Sequence, residues 1–275
     1  MKLLVPTDFS KPSKTALLYA IHMAKKLQGE IIILWFNSIQ SSKKTLSKWK
    51  KLEADMIAIA QEDAKHLVEE VRGEVKGNLS FTYHFTSGSS FAESVDTYAV
   101  KNDVDMIVMG TKGASGVKKL IMGSNAASMI DHSRIPVLVI PEKASFKTLK
   151  KIVYASDLYE WEQEIRTIAA LAAIYKASVH VLHISPASSK NKTDKNLLPE
   201  MIKTAGYQKI IFQDIKSDNV AKAIDDYILA NDADMLAMFT HKLDTYEKLF
   251  GRSVTRQLAF HAHVPLLTFN KTLLI

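Results

Sequence analysis

The sequence predicts an α/β protein of two tandem open, doubly wound parallel sheets, each with about five strands and four helices. Two observations carry that expectation. Apolar strand-like runs alternate with amphipathic helical stretches, and the same order of segments occurs twice along the 275 residues. Such alternation calls for right-handed βαβ crossovers, which bury a parallel sheet between helices on both faces.

The segments match one by one. Lys2-Leu-Leu-Val-Pro-Thr-Asp8 is an apolar run closed by a hydroxyl residue and an aspartate, and Lys151-Ile-Val-Tyr-Ala-Ser-Asp157 echoes it. Helical stretches follow, Lys11 to Gln28 and Glu160 to Lys176. Glu30 to Phe36 and Ser178 to Ile184 read as buried second strands. Asp103-Val-Asp-Met-Ile-Val-Met109 is matched by Asp232-Ala-Asp-Met-Leu-Ala-Met238, and His132 to Val139 by His261 to Thr268. The last two pairs share one offset of 129 residues without a gap, a register that chance similarity does not hold.

The first repeat is expected to span 1–141 and the second 149–270, joined by a short linker. They differ most after the second strand. Repeat one has a long helix whose apolar stripe, Leu46, Trp49, Leu52, Met56, Ile59, Leu67 and Val71, reads as a packing face. Repeat two has a polar loop, Ser185 to Lys195, and then a short helix.

Composition narrows the function. The chain has no cysteine, so disulfides and thiolate metal sites are excluded. The opening MKLLVPTDFS is too short an apolar run for a secretory leader, and no stretch reaches the roughly 20 apolar residues of a membrane helix. A cytoplasmic protein with no membrane partner is expected. The net charge is +7, yet it is spread evenly, with 18 basic against 14 acidic residues in 1–141 and 18 against 15 in 142–275. The dense cluster of Lys43, Lys44, Lys48, Lys50 and Lys51 reads as a solvated helix face, so nucleic acid is not the expected partner.

Chemistry concentrates after the fourth strand of repeat one. Four of the ten glycines in the chain fall within Gly110 to Gly123. Glycine lets backbone N–H groups approach a ligand without an intervening Cβ, and phosphate is held well by such groups at a helix start. Ser124 is placed to start a helix running from Asn125 to His132. The loop also lies at the carboxyl ends of parallel strands, where open α/β sheets bind ligands. By composition alone, glycines serving only turns and a serine serving only as a cap explain the segment equally well. The loop is neither a Walker A sequence nor a dinucleotide fingerprint.

The spacing Gly110, two residues, Gly113, nine residues, Gly123-Ser124 resembles the nucleotide-binding motif of the universal stress protein family. Pro6-Thr7-Asp8-Phe9-Ser10 and Ile135-Pro136-Val137-Leu138-Val139 resemble the same family, and the likeness covers the whole chain as a tandem pair. The resemblance implies a Rossmann-like sheet of the adenine nucleotide α-hydrolase type that binds ATP, with Mg2+ as an optional companion. It places Pro6, Thr7 and Asp8 beside the nucleoside and Phe36 near the base. Met109, Gly110, Lys112, Gly113, Gly123, Ser124 and Asn125 follow the ribose and phosphates. Phe36 is larger than the aliphatic residue expected at its position.

Repeat two departs from the pattern. Across the offset of 129, Gly110 becomes Phe239, Gly113 becomes Lys242, Gly123 becomes Arg252, and Ser124 becomes Ser253, while Gly251 is one residue out of register. Its site is expected to be dead for ATP, with a smaller anion on Lys242 and Arg252 as the alternative. His261, His263, His241 and His132 could be assembled into a metal pair, but as surface histidines they need no ligand. Asp8 is the sole carboxylate expected inside the first site, and neither a positioned base nor clustered positive charge for a γ-phosphate is evident. A regulatory ATP-binding protein of the stress response is therefore favoured over a slow ATPase or phosphoryl-transfer enzyme using Lys112 or Lys118, and over a nucleotide-free scaffold. A protein partner is expected but unnamed by the sequence.

In the family the sequence resembles, the last strand commonly forms a dimer edge. Pro136 to Ile140 and Pro265 to Phe269 are both apolar, and an unpaired apolar edge invites aggregation. The two repeats are therefore expected to pair through their last strands as an intramolecular pseudo-dimer, with homo-oligomers through other faces left open. Expressed separately, 1–141 and 149–270 should associate at micromolar concentration, and lysine at Val137 and Val139 should loosen the pair. Analytical ultracentrifugation showing each repeat monomeric and soluble would refute the pairing.

Overall fold

The computed structural model describes residues 1–38, 46–74, 79–111, 123–189, 194, 196–240 and 264–270. The chain divides into two units, Met1–Phe146 and Lys147–Ile275. Unit 1 runs β1 (Lys2–Thr7), α1 (Lys11–Leu27), β2 (Glu30–Ser38), α2 (Leu46–Glu74), β3 (Phe81–Gly88), α3 (Phe91–Lys101), β4 (Met106–Gly110), α4 (Ser124–His132) and β5 (Val137–Ile140). Its strands lie parallel in the order β3-β2-β1-β4-β5. Leu3 sits opposite both Ile31 and Met106. Because β1 is covered on both faces, it reads as a continuous apolar run, and Leu3, Leu4 and Val5 are all buried.

Unit 2 runs β6 (Lys151–Ala155), α5 (Trp161–Tyr175), β7 (Ser178–Ser185), α6 (Leu197–Ala205), β8 (Ile210–Lys216), α7 (Val220–Ala230), β9 (Met235–Thr240) and β10 (Leu266–Asn270). Its parallel order, β10-β9-β6-β7-β8, is that of unit 1. The fourth helix expected in this repeat falls in 241–263, outside the described residues.

The repeat extends to single hydrogen bonds. The Asp105 carboxylate accepts from Lys2 N at 2.7 Å, and Asp234 accepts from Lys151 N at 2.9 Å. Asn102 Nδ2 caps α3 by donating to Tyr98 O at 2.8 Å, and Asn231 Nδ2 caps α7 by donating to Tyr227 O at 2.9 Å. After the first strand the chain turns through a left-handed residue in both units, Phe9 at φ 61° and Leu158 at φ 65°. A non-glycine residue holds that conformation only where its surroundings demand it. Here the demand is visible. Phe9 N donates to Thr7 Oγ1 at 3.0 Å and Leu158 N to Ser156 Oγ at 3.1 Å, while Ser10 N and Tyr159 N donate to Asp8 and Asp157. The hydroxyl-aspartate pair that ends each first strand is thus the turn itself.

The long helix departs from expectation. Ala60, Ala64, Leu67, Val68 and Val71 of α2 are buried, so its carboxyl-terminal half packs as predicted. Leu52 and Ile59, on the same predicted stripe, are 48% and 64% exposed. The amino-terminal half is held by polar contacts instead: Ser87 Oγ donates to Glu53, and Asn37 Nδ2 approaches Met56 Sδ at 3.7 Å. The amino-terminal half therefore meets the ends of β2 and β3 through polar side chains and leaves Leu52 and Ile59 exposed. Elsewhere in unit 1, Arg134 ties the start of β5 to α3, its N and Nε each donating to the buried Asp96 carboxylate at 2.8 Å.

Three histidines sit beside aromatic rings, His180 buried and His22 and His84 half-buried: His22 stacks on Phe146 at 4.3 Å, His84 on Tyr98 at 4.0 Å, and His180 lies 2.8 Å from the Tyr227 hydroxyl. Burial lowers all three from their ordinary value, with Lys25 adding to it at His22 and Lys151 at His180. A histidine held neutral in the fold binds its proton more readily when unfolded. Its stability contribution is therefore complete above the ordinary value of about 6.5 and is lost as pH falls toward the folded one. The melting temperature should fall between pH 7 and pH 5, and His180→Gln should flatten part of that fall. A slope unchanged by the substitution, followed by circular dichroism, would exclude His180 as a contributor.

Candidate functional site

The first strand of each unit has neighbours on both sides, because the chain winds away to β2 and β3 and then returns to β4 and β5. At that switch point the crossovers diverge and leave a crevice beyond the strand ends. Unit 1 has a cleft there. Pro6, Thr7 and Asp8 enter it from the end of β1, Phe36 from β2, Met109 and Gly110 from β4, and Gly123 and Asn125 from the start of α4. The structure thus brings together eight of the residues singled out from the sequence. Ser124 is exposed at the first position of α4 and lies outside the lining. Lys112 and Gly113 lie outside the described residues.

Ser13, Phe91, Thr111 and Ala126 also line the cleft and were missed. Ser13 was detectable only through its partner. Thr7 Oγ1 donates to Ser13 Oγ at 3.1 Å, which donates to Ser10 O at 2.8 Å, so the floor of the cleft is a fixed relay of hydroxyls. Thr111 is anchored by its own backbone, its N–H donating to Ile140 O at 3.0 Å and its carbonyl accepting from Gly123 N at 2.8 Å. That last bond joins the two sides of segment 112–122 at its base.

Two local details differ from the sequence argument. Helix α4 starts at Ser124, one residue earlier than expected, and its cap is Gly123, which makes no side-chain cap. The amides of the first turn have no intrahelical acceptor, and a glycine cap leaves them to whatever enters the cleft. Gly110 is also constrained from behind. A Cβ there would lie 3.0 Å from both Cβ and O of Pro12, in the first turn of α1. Helix packing alone therefore leaves little room for a side chain here, before any ligand is considered.

The corresponding place in unit 2 is filled. Phe239, at the position of Gly110, stacks on Phe269 with centroids 4.5 Å apart and meets Tyr154 edge-on at 5.9 Å. Tyr154 is fully buried; its hydroxyl accepts from Ser156 Oγ at 2.9 Å and donates to Glu164. Burial, and then the charge of Glu164, push the Tyr154 phenol well above its ordinary value, so it stays a donor. Lys242, Gly251, Arg252 and Ser253 lie outside the described residues, as do His241, His261 and His263. His132 is exposed, its Nδ1 2.9 Å from Ser128 O. Among the described residues no three His, Asp or Glu side chains are grouped to hold a metal ion, and no helix is long and apolar enough to cross a membrane.

Two parallel α/β units of Rossmann-like winding, one open at its switch point, define the class. The chain belongs to the universal stress protein family, whose model matches residues 1–141 and again 148–270. It is similar to the universal stress protein Slr1230 of Synechocystis sp., 24% identical over 98% of this chain and 99% of the relative. It is also similar to the universal stress protein MJ0531 of Methanocaldococcus jannaschii, 27% identical over 50% of this chain and 81% of that one. The crystal structure of a universal stress protein from Archaeoglobus fulgidus shares the fold, with a TM-score of 0.71, 19% identity, and coverage of 98% of this chain and 96% of that one.

Opposite substitutions at one structural position should both harm the protein. Gly110→Ala should destabilise unit 1 by about 1–3 kcal/mol through the clash with Pro12. Phe239→Ala should cost unit 2 about 3–5 kcal/mol through the cavity left against Tyr154 and Phe269. Urea unfolding checks both, and an unchanged midpoint for Phe239→Ala would show the ring to be no part of the core.

Proposed function

We propose that this chain is a regulatory ATP-binding protein of the stress response, acting in the cytoplasm, with one nucleotide site in its first domain, 1–141. The second domain, 149–270, carries a degenerate site. The observation that supports this most is the cleft at the carboxyl end of β1, where the glycine-capped start of α4 meets the hydroxyl relay of Thr7 and Ser13. The donor set fits the ligand. Free helix-start amides suit phosphate oxygens, Asp8 is a carboxylate within reach of a ribose, and the apolar rings of Phe36 and Phe91 suit a base. When bound, ATP supplies the charge and shape that partner surfaces respond to. The chain's part is to hold it: Thr7 and Ser13 fix the floor, and Thr111 and Gly123 fix the loop base.

Unit 2 supports the same reading by contrast, because a phenylalanine, Phe239, packed against Phe269, stands at the position of Gly110. Titration calorimetry should give about one ATP per chain. Gly113→Val should weaken it tenfold or more, about 1.4 kcal/mol, and Lys242→Gly should change little. Two equivalent sites, no binding, or equal effects of the two substitutions would overturn the proposal.

A further inference from the structure

Helix α2 keeps an apolar pair on its outer face. Leu52 and Ile59 are 48% and 64% exposed. Seven residues separate them, which is two turns, or about 10.5 Å along the axis. They share one stripe, about a third of a turn round the helix from Ala60, Ala64 and Val71, which are buried. A single exposed apolar side chain is ordinary, but two in line on one helix form a face.

The charge of this helix runs against its own dipole. From Lys48 to Lys51 there are three lysines and no acid, whereas Glu53 to Glu70 hold six carboxylates against one lysine. The amino end of a helix favours carboxylates and the carboxyl end favours lysines, so this order opposes the helix that carries it. Two of the carboxylates are engaged within unit 1: Glu53 accepts from Ser87, and Glu70 pairs with Lys14. Asp55, Glu62, Asp63 and Glu69 are exposed. Glu62 meets Lys65 at 2.9 Å, an exposed pair of the kind that contributes little. A helix standing alone gains nothing from this order of charges. Two copies laid antiparallel do, because the basic end of each then faces the acidic stretch of the other.

We propose that α2 is a contact face for a second copy of this chain, two α2 helices packing antiparallel about a two-fold axis with Leu52 of each against Ile59 of the other. The apolar pair fixes the register, and the charges follow from it. Lys51 and Glu62 lie eleven residues, or three turns, apart and so share one flank of the stripe. Across a two-fold axis that flank faces itself, and Lys51 comes within two residues of Glu62 of the second copy. The same register brings the two Asp55 carboxylates together at the axis, the one unfavourable pair in the contact. Unit 2 has the short α6 in place of this helix, so each chain offers the face once and the pairing closes at two copies. Two exposed apolar side chains make a small contact, and the pair is accordingly weak and salt-sensitive, with a dissociation constant on the order of 100 μM.

Sedimentation velocity of the full chain over about 10–500 μM, in low and in high salt, reads this association. The mass of the parent should climb toward that of two chains with concentration, and less so in high salt. Ile59→Glu, at an exposed position and with folding checked by circular dichroism, should weaken association about tenfold or more. Lys51→Glu and Glu62→Lys should each self-associate about threefold more weakly than the parent or worse. An equimolar mixture of those two variants should regain the parent's affinity, because every flank pair across the axis is then opposite in charge. Asp55→Asn should tighten the pair by relieving the repulsion at the axis. A parent whose mass stays that of one chain throughout overturns the proposal. So does association that Ile59→Glu leaves unchanged, which places the contact on another face. A mixture no tighter than its two components overturns the antiparallel register.

Discussion

Everything in this protein depends on the first strand of each unit being paired on both sides. Parallel pairing of β1 with β2 and β4, and of β6 with β7 and β9, forces the crossovers to leave in opposite directions. Backbone cannot close the gap that results, because each connection must climb over its own side of the sheet. The fold therefore creates a crevice whether or not a ligand exists to occupy it. Its cost is exposed strand ends and helix-start amides, and each unit has to meet that cost somehow.

The two units meet it differently with nearly the same framework. The strand anchors, the left-handed residue after the first strand and the asparagine that ends the third helix of unit 1 all have matching hydrogen bonds in unit 2. What differs is the filling. Unit 1 keeps a glycine-capped helix start and a lining of hydroxyls. Unit 2 packs Tyr154, Phe239 and Phe269 into one cluster and buries Glu164 under a tyrosine hydroxyl. Shared turn chemistry therefore marks the fold, and only the filling speaks of function.

Much of this was legible in the sequence because it depends on local rules. Apolar runs, caps and the offset between repeats fix strands, helices and their order, and the carboxyl ends of the strands then locate the crevice. The parts that were not legible depend on what lies opposite. Phe91 begins a helix and looks like any apolar core residue until Phe36 is seen across from it. Gly110 looked like a ligand-facing glycine, and only three dimensions reveal Pro12 behind it. The stripe on α2 follows a helical period, but periodicity says which face is apolar and not which of its residues the rest of the unit covers. Ser124 differs from a cap by one residue, which is the ordinary uncertainty of a helix start.

The aromatic filling of unit 2 also makes any change at a single one of its positions unfavourable. A repeat without the glycines but with an empty crevice could accept them one at a time. Here the ring of Phe239 has become part of a mutually supporting core, so returning it to glycine first removes packing from Phe269 and Tyr154 and restores nothing. Recovery of an open crevice needs several coordinated changes, each unfavourable alone. The aromatic filling of unit 2 is thus held in place by core packing itself.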